Sequence, residues 1–400
     1  MRLLVVVPAL GSVYGGPSKS VIELAQSLGK SSINVDVIAT NANGDSVLDV
    51  PLGQWIQKDH YRVQYFPYWG IGDYKLSLPI TSWLFRHIRD YDLVQTNAIF
   101  SVPILPAYLA CRWNNIPYVV IPRGMLEPWA LSYKAWKKRI YYDLFEKPAL
   151  MRASAIQMLA STEAKQIRPL NLEVPLIISP NGIHPQAFEI LPSAEEFFWK
   201  FPETQNKKLI LFLGRIDPKK GLDLLSQAFG KIKHQFSDAH LVVAGPDNIG
   251  FLSMAQQYFT DANCLSAVTF TGMLTGTLKY AALAAADVYV APSYSEGFSM
   301  SVLEGMVSGL PCIISTGCNF PEAETAKAAH VVEPNPDAIS SALLHCLHNP
   351  EESKQMGDLA RQFILANYTW DKITAQLIEV YSAILNNPSI SHQTPISKKT

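Results

Sequence analysis

Short apolar runs alternate along this chain with segments of helical periodicity, and the alternation is completed twice. The first series is LLVVV (3–7), VDVIAT (35–40), LVQTN (93–97), YVVIP (118–122), AIQML (155–159) and LIISP (176–180). The second is LILFLG (209–214), LVVAG (241–245), VTFTG (268–272), DVYVAP (287–292), PCIIS (311–315) and HVVE (330–333). Runs that are apolar throughout belong to strands buried on both faces, and helices between them supply the crossovers of a parallel sheet. The rhythm predicts an α/β chain of two doubly wound domains. Its 400 residues also exceed the roughly 250 to 300 that one core organises. Pro180, Asn181 and Gly182 stop a strand and permit positive φ, which marks the hinge. The expected domains are 1–180 and 181–367, followed by a helix over 368–386 and a polar tail, 387–400, without fixed structure.

Composition narrows the partners. The 33 basic and 34 acidic residues leave a net charge of −1, so no general attraction draws the chain to nucleic acid. Five cysteines without close pairing point to a reducing, cytoplasmic setting. The opening MRLLVVVPALG reads as a first buried strand rather than a leader, because its apolar run is short and passes directly into a glycine-rich turn. No apolar run approaches the ~20 residues that span a bilayer.

Chemistry concentrates in YSEGFSMSVLEGMVSGLP (294–311). Gly297 breaks the chain after Glu296, Ser299 stands where it can cap a helix, and Gly309 with Pro311 ends that helix, so Glu296 lies in a loop and Glu304 on the helix. Backbone N–H groups near 298–300, at the positive end of the helix dipole, suit a phosphate. Carboxylates beside a phosphate site must face something neutral and rich in hydroxyls, such as a ribose or a sugar ring. Two surface glutamates would give the same spacing by chance. The surroundings argue otherwise: LILFLGRIDPKKGLDLL (209–225) places Arg215, Lys219 and Lys220 after a buried strand, at the sheet edge where ligands of open α/β sheets bind. Lys219 reads equally well as a solvated loop cation.

These elements, with the NGI hinge, resemble the retaining glycosyltransferases of family 4, whose fold is GT-B: two Rossmann-like domains facing across a cleft. The resemblance runs through nearly the whole chain and is carried by E-x7-E and R-x4-K. It implies that Glu304 holds the ribose hydroxyls of a nucleotide sugar, Glu296 the hydroxyls of the transferred sugar, and Arg215 with Lys220 the diphosphate. The backbone of Gly297, Phe298 and Ser299 would meet sugar and phosphates, and the loop at Met273 and Leu274 the base. The donor implied is a UDP- or GDP-linked sugar, and the acceptor a glycan or lipid-linked hydroxyl in bacterial polysaccharide synthesis. No cofactor is implied. Two cations and a helix end serve the diphosphate without a metal.

The amino-terminal half carries weaker signals. Gly15 and Gly16 form a strand-to-helix turn whose spacing is not GxGxxG, so a dinucleotide site is poorly supported. By resemblance Gly16 faces the donor, while a tight turn alone would also require glycine. Lys19 meets an acceptor phosphate or only solvent. PRGMLEPWAL (122–131) matches a subgroup signature in which Arg123 stands beside the donor sugar, where many relatives have histidine. The upstream HxHGxW pattern is replaced here by Gln95, Asn97, Ala98 and Phe100. Asp90-Tyr91-Asp92 spells the DxD of metal-dependent transferases, but a helix-to-strand turn explains it better. From Lys134 to Lys147, Trp136, Ile140, Tyr141, Leu144 and Phe145 share one helical face, with basic residues elsewhere. Burial in the core is the commoner fate of such a face, and docking on an anionic membrane at the inner surface of the cell is the other. Two rivals to sugar transfer are a sugar-nucleotide epimerase of the same fold and an inactive nucleotide-sugar-binding partner.

Overall fold

The computed structural model describes residues 1–71, 74–128, 131 and 135–386. Lys134, Trp129 and Ala130 of the subgroup signature and the expected tail, 387–400, lie outside the described residues. The chain divides into two compact units, Met1–Gly182 with the chain from Trp370 onward, and Ile183–Thr369.

The first unit holds an eight-stranded sheet built from β1 (Arg2–Ala9), β2 (Asn34–Thr40), β3 (Trp55–Gln57), β4 (Arg62–Phe66), β5 (Leu93–Asn97), β6 (Tyr118–Ile121), β7 (Ala155–Met158) and β8 (Leu176–Ile178). Its order is β8-β7-β6-β5-β1-β2-β4-β3, parallel except for β3 at the edge. Strand β4 escapes a search for apolar runs because its sequence is RVQYF. Its first residue belongs to a half-buried ionic group: Arg62 donates to Asp36 on β2 (Nη2 to Oδ2, 2.7 Å), and Tyr91 donates to the same carboxylate at 2.7 Å. Tyr91 thus serves the sheet, and Asp92 accepts from the Arg2 N–H at 2.7 Å, so both belong to strand packing.

The helix Trp370–Asn386 is part of this unit's core. It buries Trp370, Ile373, Leu377, Tyr381 and Ile384 in the same cluster as Leu3, Val5, Val21, Leu24 and Leu28. Trp370 donates its Nε1–H to Glu23 on the helix Gly16–Lys30 at 2.9 Å, and Tyr381 donates to Gln95 on β5 at 3.1 Å.

Of the face expected to be core between residues 136 and 145, Tyr141 is partly buried and packs on Phe100, and the rest is not core. Trp136, Ile140, Leu144 and Phe145 are all exposed. The helix Ala135–Tyr141 widens into a π-helical stretch, Tyr142–Glu146, before continuing as Lys147–Leu150. That widening turns Tyr142 and Glu146 inward and leaves the apolar stripe outside. Glu146 is fully buried; its Oε1 accepts the Phe100 N–H at 2.7 Å, and burial pushes its pKa up to about 7. A carboxyl raised in the folded state favours folding below its unfolded pKa and loses that contribution as pH rises through the folded value. Stability should therefore fall between about pH 4.5 and about 7, by at most on the order of 3 kcal/mol. Glu146→Gln, which keeps an acceptor for Phe100, should flatten this slope in urea titrations at pH 5 and pH 8. An identical slope in the variant would assign the pH dependence elsewhere.

The second unit holds an all-parallel sheet of β9 (Lys208–Leu213), β10 (Ala239–Ala244), β11 (Val268–Gly272), β12 (Val288–Ala291), β13 (Cys312–Ser315) and β14 (His330–Val332). Its order, β11-β10-β9-β12-β13-β14, reverses direction between β9 and β12, which are paired through Ile210 with Val288 and Leu211 with Tyr289. A crevice at the carboxyl ends of the strands opens at such a reversal, and ligands of open α/β sheets bind there.

Candidate active site

The loops leaving β9 and β12 bring the principal candidates together. After β9 the backbone is pinned by Gly214 N–H to the Ala244 carbonyl and Ile216 N–H to the Pro246 carbonyl, both 2.9 Å, which fixes Arg215 between them. Asp217 caps the following short turn by accepting the Lys219 N–H at 3.1 Å. Gly221 ends that turn at φ 71°, and a Cβ there would lie 2.2 Å from the Pro292 carbonyl. Only glycine lets the β9 loop press against the end of β12, and that approach delivers Lys220 to Glu296.

Lys220 and Glu296 are both buried and form an ion pair through Nζ and Oε1. Ser293 also donates to Oε1, at 2.8 Å. Burial alone would raise the Glu296 pKa; the ammoniums of Lys220 and Lys219 and these hydrogen bonds outweigh it and hold the carboxyl below its usual range. The loop itself is tied to the segment after β13, with the Glu296 N–H donating to the Gly317 carbonyl at 2.8 Å and Asn319 donating to the Glu296 carbonyl. Lys219 is not a solvated cation: it is partly buried, and burial lowers its pKa.

Glu304 lies on the helix Met300–Val307, buried, with Lys279 at 2.8 Å from its Oε1. Lys279 was not among the residues singled out from sequence. Its signal is slight: one cation in a helix, Gly276–Ala285, otherwise made of small and apolar residues (GTLKYAALAA). The helix carrying Glu304 lies directly on Tyr289 of β12 because Gly305 has no side chain; a Cβ there would sit 2.7 Å from the ring. Ser299 occupies the N-cap position but does not cap, contrary to expectation. Its hydroxyl is 3.1 Å from that of Ser301, which also receives the Tyr289 hydroxyl at 2.9 Å. The Ser299 side chain therefore satisfies none of the first-turn N–H groups. The Phe298 ring belongs to a cluster with Phe320 and Tyr368, at 5.1 and 5.8 Å, so Gly297 and Phe298 offer a ligand mainly backbone. Of the two residues expected near a base, Met273 is exposed, whereas Leu274 is packed into the core and has only its backbone to offer.

Gly16 and Arg123 belong to the first unit. Gly16 opens the helix Gly16–Lys30. Arg123, at φ 55°, donates to Asn97 through Nε (3.0 Å) and Nη2 (2.7 Å) and to Ser20 through Nη1 (2.8 Å). Asn97, standing where the histidine pattern is broken, thus has a defined task. Glu163 holds the turn from beneath, accepting the Gly124 N–H at 2.8 Å and the Leu159 N–H at 2.7 Å. Burial lowers the Arg123 pKa to about 10, partly opposed by the Glu163 charge, so the guanidinium stays charged at neutral pH. A glutamate in the first turn of a helix is common enough that sequence gave no reason to select Glu163. Among the described residues, no group of three His, Cys, Asp or Glu side chains gathers as a metal site, and no helix is long and apolar enough to cross a membrane.

The model for glycosyl transferases group 1 matches residues 193–363, and that for glycosyltransferase family 4 matches residues 14–187. The chain belongs to the group 1, family 4 glycosyltransferases and has their GT-B fold of two Rossmann-like domains. An uncharacterized glycosyltransferase of Methanocaldococcus jannaschii is 29% identical over 210 residues, 50% of this chain and 52% of the relative. A GDP-mannose-dependent alpha-(1-6)-phosphatidylinositol monomannoside mannosyltransferase of Mycobacterium tuberculosis is 27% identical over 209 residues, 50% of this chain and 54% of the relative. The chain thus spans about half the length of the curated relatives it matches. Among solved structures, sucrose-phosphate synthase from Thermosynechococcus elongatus superposes with a TM-score of 0.78 at 19% identity, covering 96% of this chain and 100% of that one. Anabaena HepE in complex with UDP and glucose gives 0.76 at 16%, with the same coverage.

Proposed function

We propose that this protein transfers a sugar from a nucleoside diphosphate to a hydroxyl of a glycan or lipid-linked acceptor, with retention of anomeric configuration and without a metal. The observation that carries this reading is the convergence of Arg215, Lys220, Glu296 and the start of the helix Met300–Val307 at the β9–β12 switch point. In this reading Glu304 holds the ribose hydroxyls, Glu296 those of the sugar, and Arg215 and Lys220 the diphosphate. Lys220, with three N–H donors, serves Glu296 and a phosphate oxygen together. As the glycosidic bond breaks, negative charge grows on the diphosphate, and fixed donors aimed at that charge stabilise the transition state. A helix end supplies only about half a charge, so the two cations carry most of this stabilisation. The lipid-linked acceptor draws support from the mannosyltransferase similarity, since that relative's name specifies a phosphatidylinositol mannoside. A place at the cytoplasmic face of the membrane, in polysaccharide or glycolipid synthesis, follows from such an acceptor.

Calorimetry with UDP, GDP and ADP in the absence of divalent metal tests the reading. One nucleotide should bind clearly more tightly than the others, and Glu304→Ala should weaken it about tenfold to a hundredfold, the worth of a charged hydrogen bond. An unchanged dissociation constant would remove Glu304 from the site. Consumption of a sugar nucleotide with no acceptor present, yielding an epimer, would replace transfer by epimerisation.

A further inference from the structure

Arg123 carries a full positive charge past the carboxyl end of β6, and among the described residues its hydrogen bonds go only to neutral oxygens. Asn97 Oδ1 accepts from Nε and Nη2, and Ser20 Oγ accepts from Nη1. A guanidinium has five N–H groups, so two remain, one on each Nη nitrogen. Arg123 is only partly buried, and a ligand can reach it. The charge of Glu163 acts on Arg123, yet its two oxygens are spent on the backbone, accepting the Gly124 and Leu159 N–H groups. Lys19, on the same helix as Ser20, is paired with Glu23 at 3.6 Å. Two further groups of this cluster lack partners: Nδ2 of the fully buried Asn97, and Oγ of the buried Ser18, two residues before Ser20. The backbone that presents them is strained. Arg123 has φ 55° and Ala98, next to Asn97, has φ 70°, with the Ala98 N–H bound to the Ile121 carbonyl at 2.9 Å. Left-handed conformations at residues other than glycine persist where surrounding contacts over-determine them, and they cluster at binding sites. The guanidinium is thus fixed in place with part of its fork unused.

We infer that this cluster in the first unit receives the carboxylate of an acidic sugar, a hexuronate, with the two remaining N–H groups of Arg123 meeting the two carboxylate oxygens. The inference rests on the transferase reading, which makes the ligand a saccharide, and it adds the charge of that saccharide. A guanidinium and a carboxylate are both planar and match in spacing, so they form two parallel charge-assisted hydrogen bonds. One carboxylate neutralises one guanidinium. A phosphate monoester carries about −1.5 to −2 near neutral pH, and with Lys19 engaged by Glu23 roughly half of that charge would go unmet. Sugar hydroxyls both donate and accept, which suits the unpartnered Asn97 amide and Ser18 hydroxyl.

The experiment has two arms on the full chain, which separate the two sources of such a carboxylate. In the first, calorimetry compares UDP-glucuronate with UDP-glucose and GDP-mannuronate with GDP-mannose. In the second, saturation-transfer NMR titrations compare methyl glucuronoside with methyl glucoside and with glucose 6-phosphate. In one arm the acidic sugar should bind at least about tenfold more tightly than its neutral counterpart, the low end for hydrogen bonds to a charged group. A preference in the first arm puts the carboxylate on the transferred sugar, and a preference in the second puts it on the acceptor. Arg123→Gln should abolish the preference, and Arg123→Lys, which keeps the charge without the fork, should retain part of it. The preference is a ratio measured on one protein, so a partly unfolded variant lowers both affinities and leaves the ratio as it was; urea midpoints report the unfolding itself. Equal affinities for acidic and neutral sugars in both arms would overturn the inference and leave the transferase reading standing. A preference that survives in Arg123→Gln would also overturn it, and tighter binding of glucose 6-phosphate than of the glucuronoside would replace the carboxylate by a phosphate. If no nucleotide or sugar nucleotide bound at all, the transferase reading would fall and this inference with it.

Discussion

Lys220→Ala is expected to lower the rate of sugar transfer about a hundredfold to a thousandfold, the usual loss when one fixed donor to developing charge is removed. The same substitution should destabilise the protein by ~3 to 5 kcal/mol, because it strands a buried carboxylate. Both effects follow from one geometry. Glu296 is 8% exposed and Lys220 9%, and the two are paired where the loops after β9 and β12 meet. A single variant cannot separate the two effects. Lys220→Met combined with Glu296→Gln removes both charges while nearly conserving volume, and replacing a buried pair by uncharged groups is often neutral for stability. The double variant should regain most of the urea midpoint lost by Lys220→Ala and remain inactive. Recovery of transfer along with stability would show that the pair is structural and that the diphosphate is held elsewhere. A Lys220→Ala protein as stable as the parent would mean the pair is open to water.

The pair also shows where sequence reading reached and where it stopped. The parallel strands of the second unit were legible because each is a short apolar run, and the site loops were legible because they leave such runs carrying charge: Arg215 after LILFLG, Glu296 after DVYVAP. What the sequence could not supply was the pairing. Lys220 and Glu296 are 76 residues apart, and their contact depends on the sheet order that makes β9 and β12 neighbours. Lys279 was invisible for the same reason, since its partner Glu304 lies 25 residues on. In the first unit, β4 was missed because the half-buried Arg62 and the buried Gln64 break its apolar pattern, and periodicity counts Arg62 as polar whether or not Asp36 awaits it. The stripe at 136–145 failed in the opposite direction. Its spacing fits a core-facing helix, but the π-helical turn at Tyr142–Glu146 changes which side of the element meets the sheet, and a fixed 3.6-residue period cannot register that change.

Trp370→Ala should cost ~3 to 5 kcal/mol, the range for removing a large aromatic from a closed core. The resemblance implies that the helix over 368–386 crosses back onto the amino-terminal domain. In the structure it is a structural member of the first unit: Trp370 is 1% exposed and Tyr381 0%, and both sit in the cluster that contains β1 and the helix Gly16–Lys30. The chain leaves that unit at Gly182 and returns at Trp370, and the residues beyond these points are bonded to each other, with the Ile183 N–H donating to the Tyr368 carbonyl at 2.9 Å. A unit whose core includes the helix Trp370–Asn386 cannot be completed until that helix is present. Trp370→Ala should therefore shift the unfolding of the first unit in urea. Nucleotide binding, which the proposed reading places wholly in residues 183–369, should persist in native buffer. Trp370→Phe keeps most of the burial but loses the donor to Glu23, and about 1 to 2 kcal/mol is expected for it. If Trp370→Ala lost less than about 1 kcal/mol, the helix would be dispensable to the first unit, and a chain ending at residue 369 should then fold and bind nucleotide unaided.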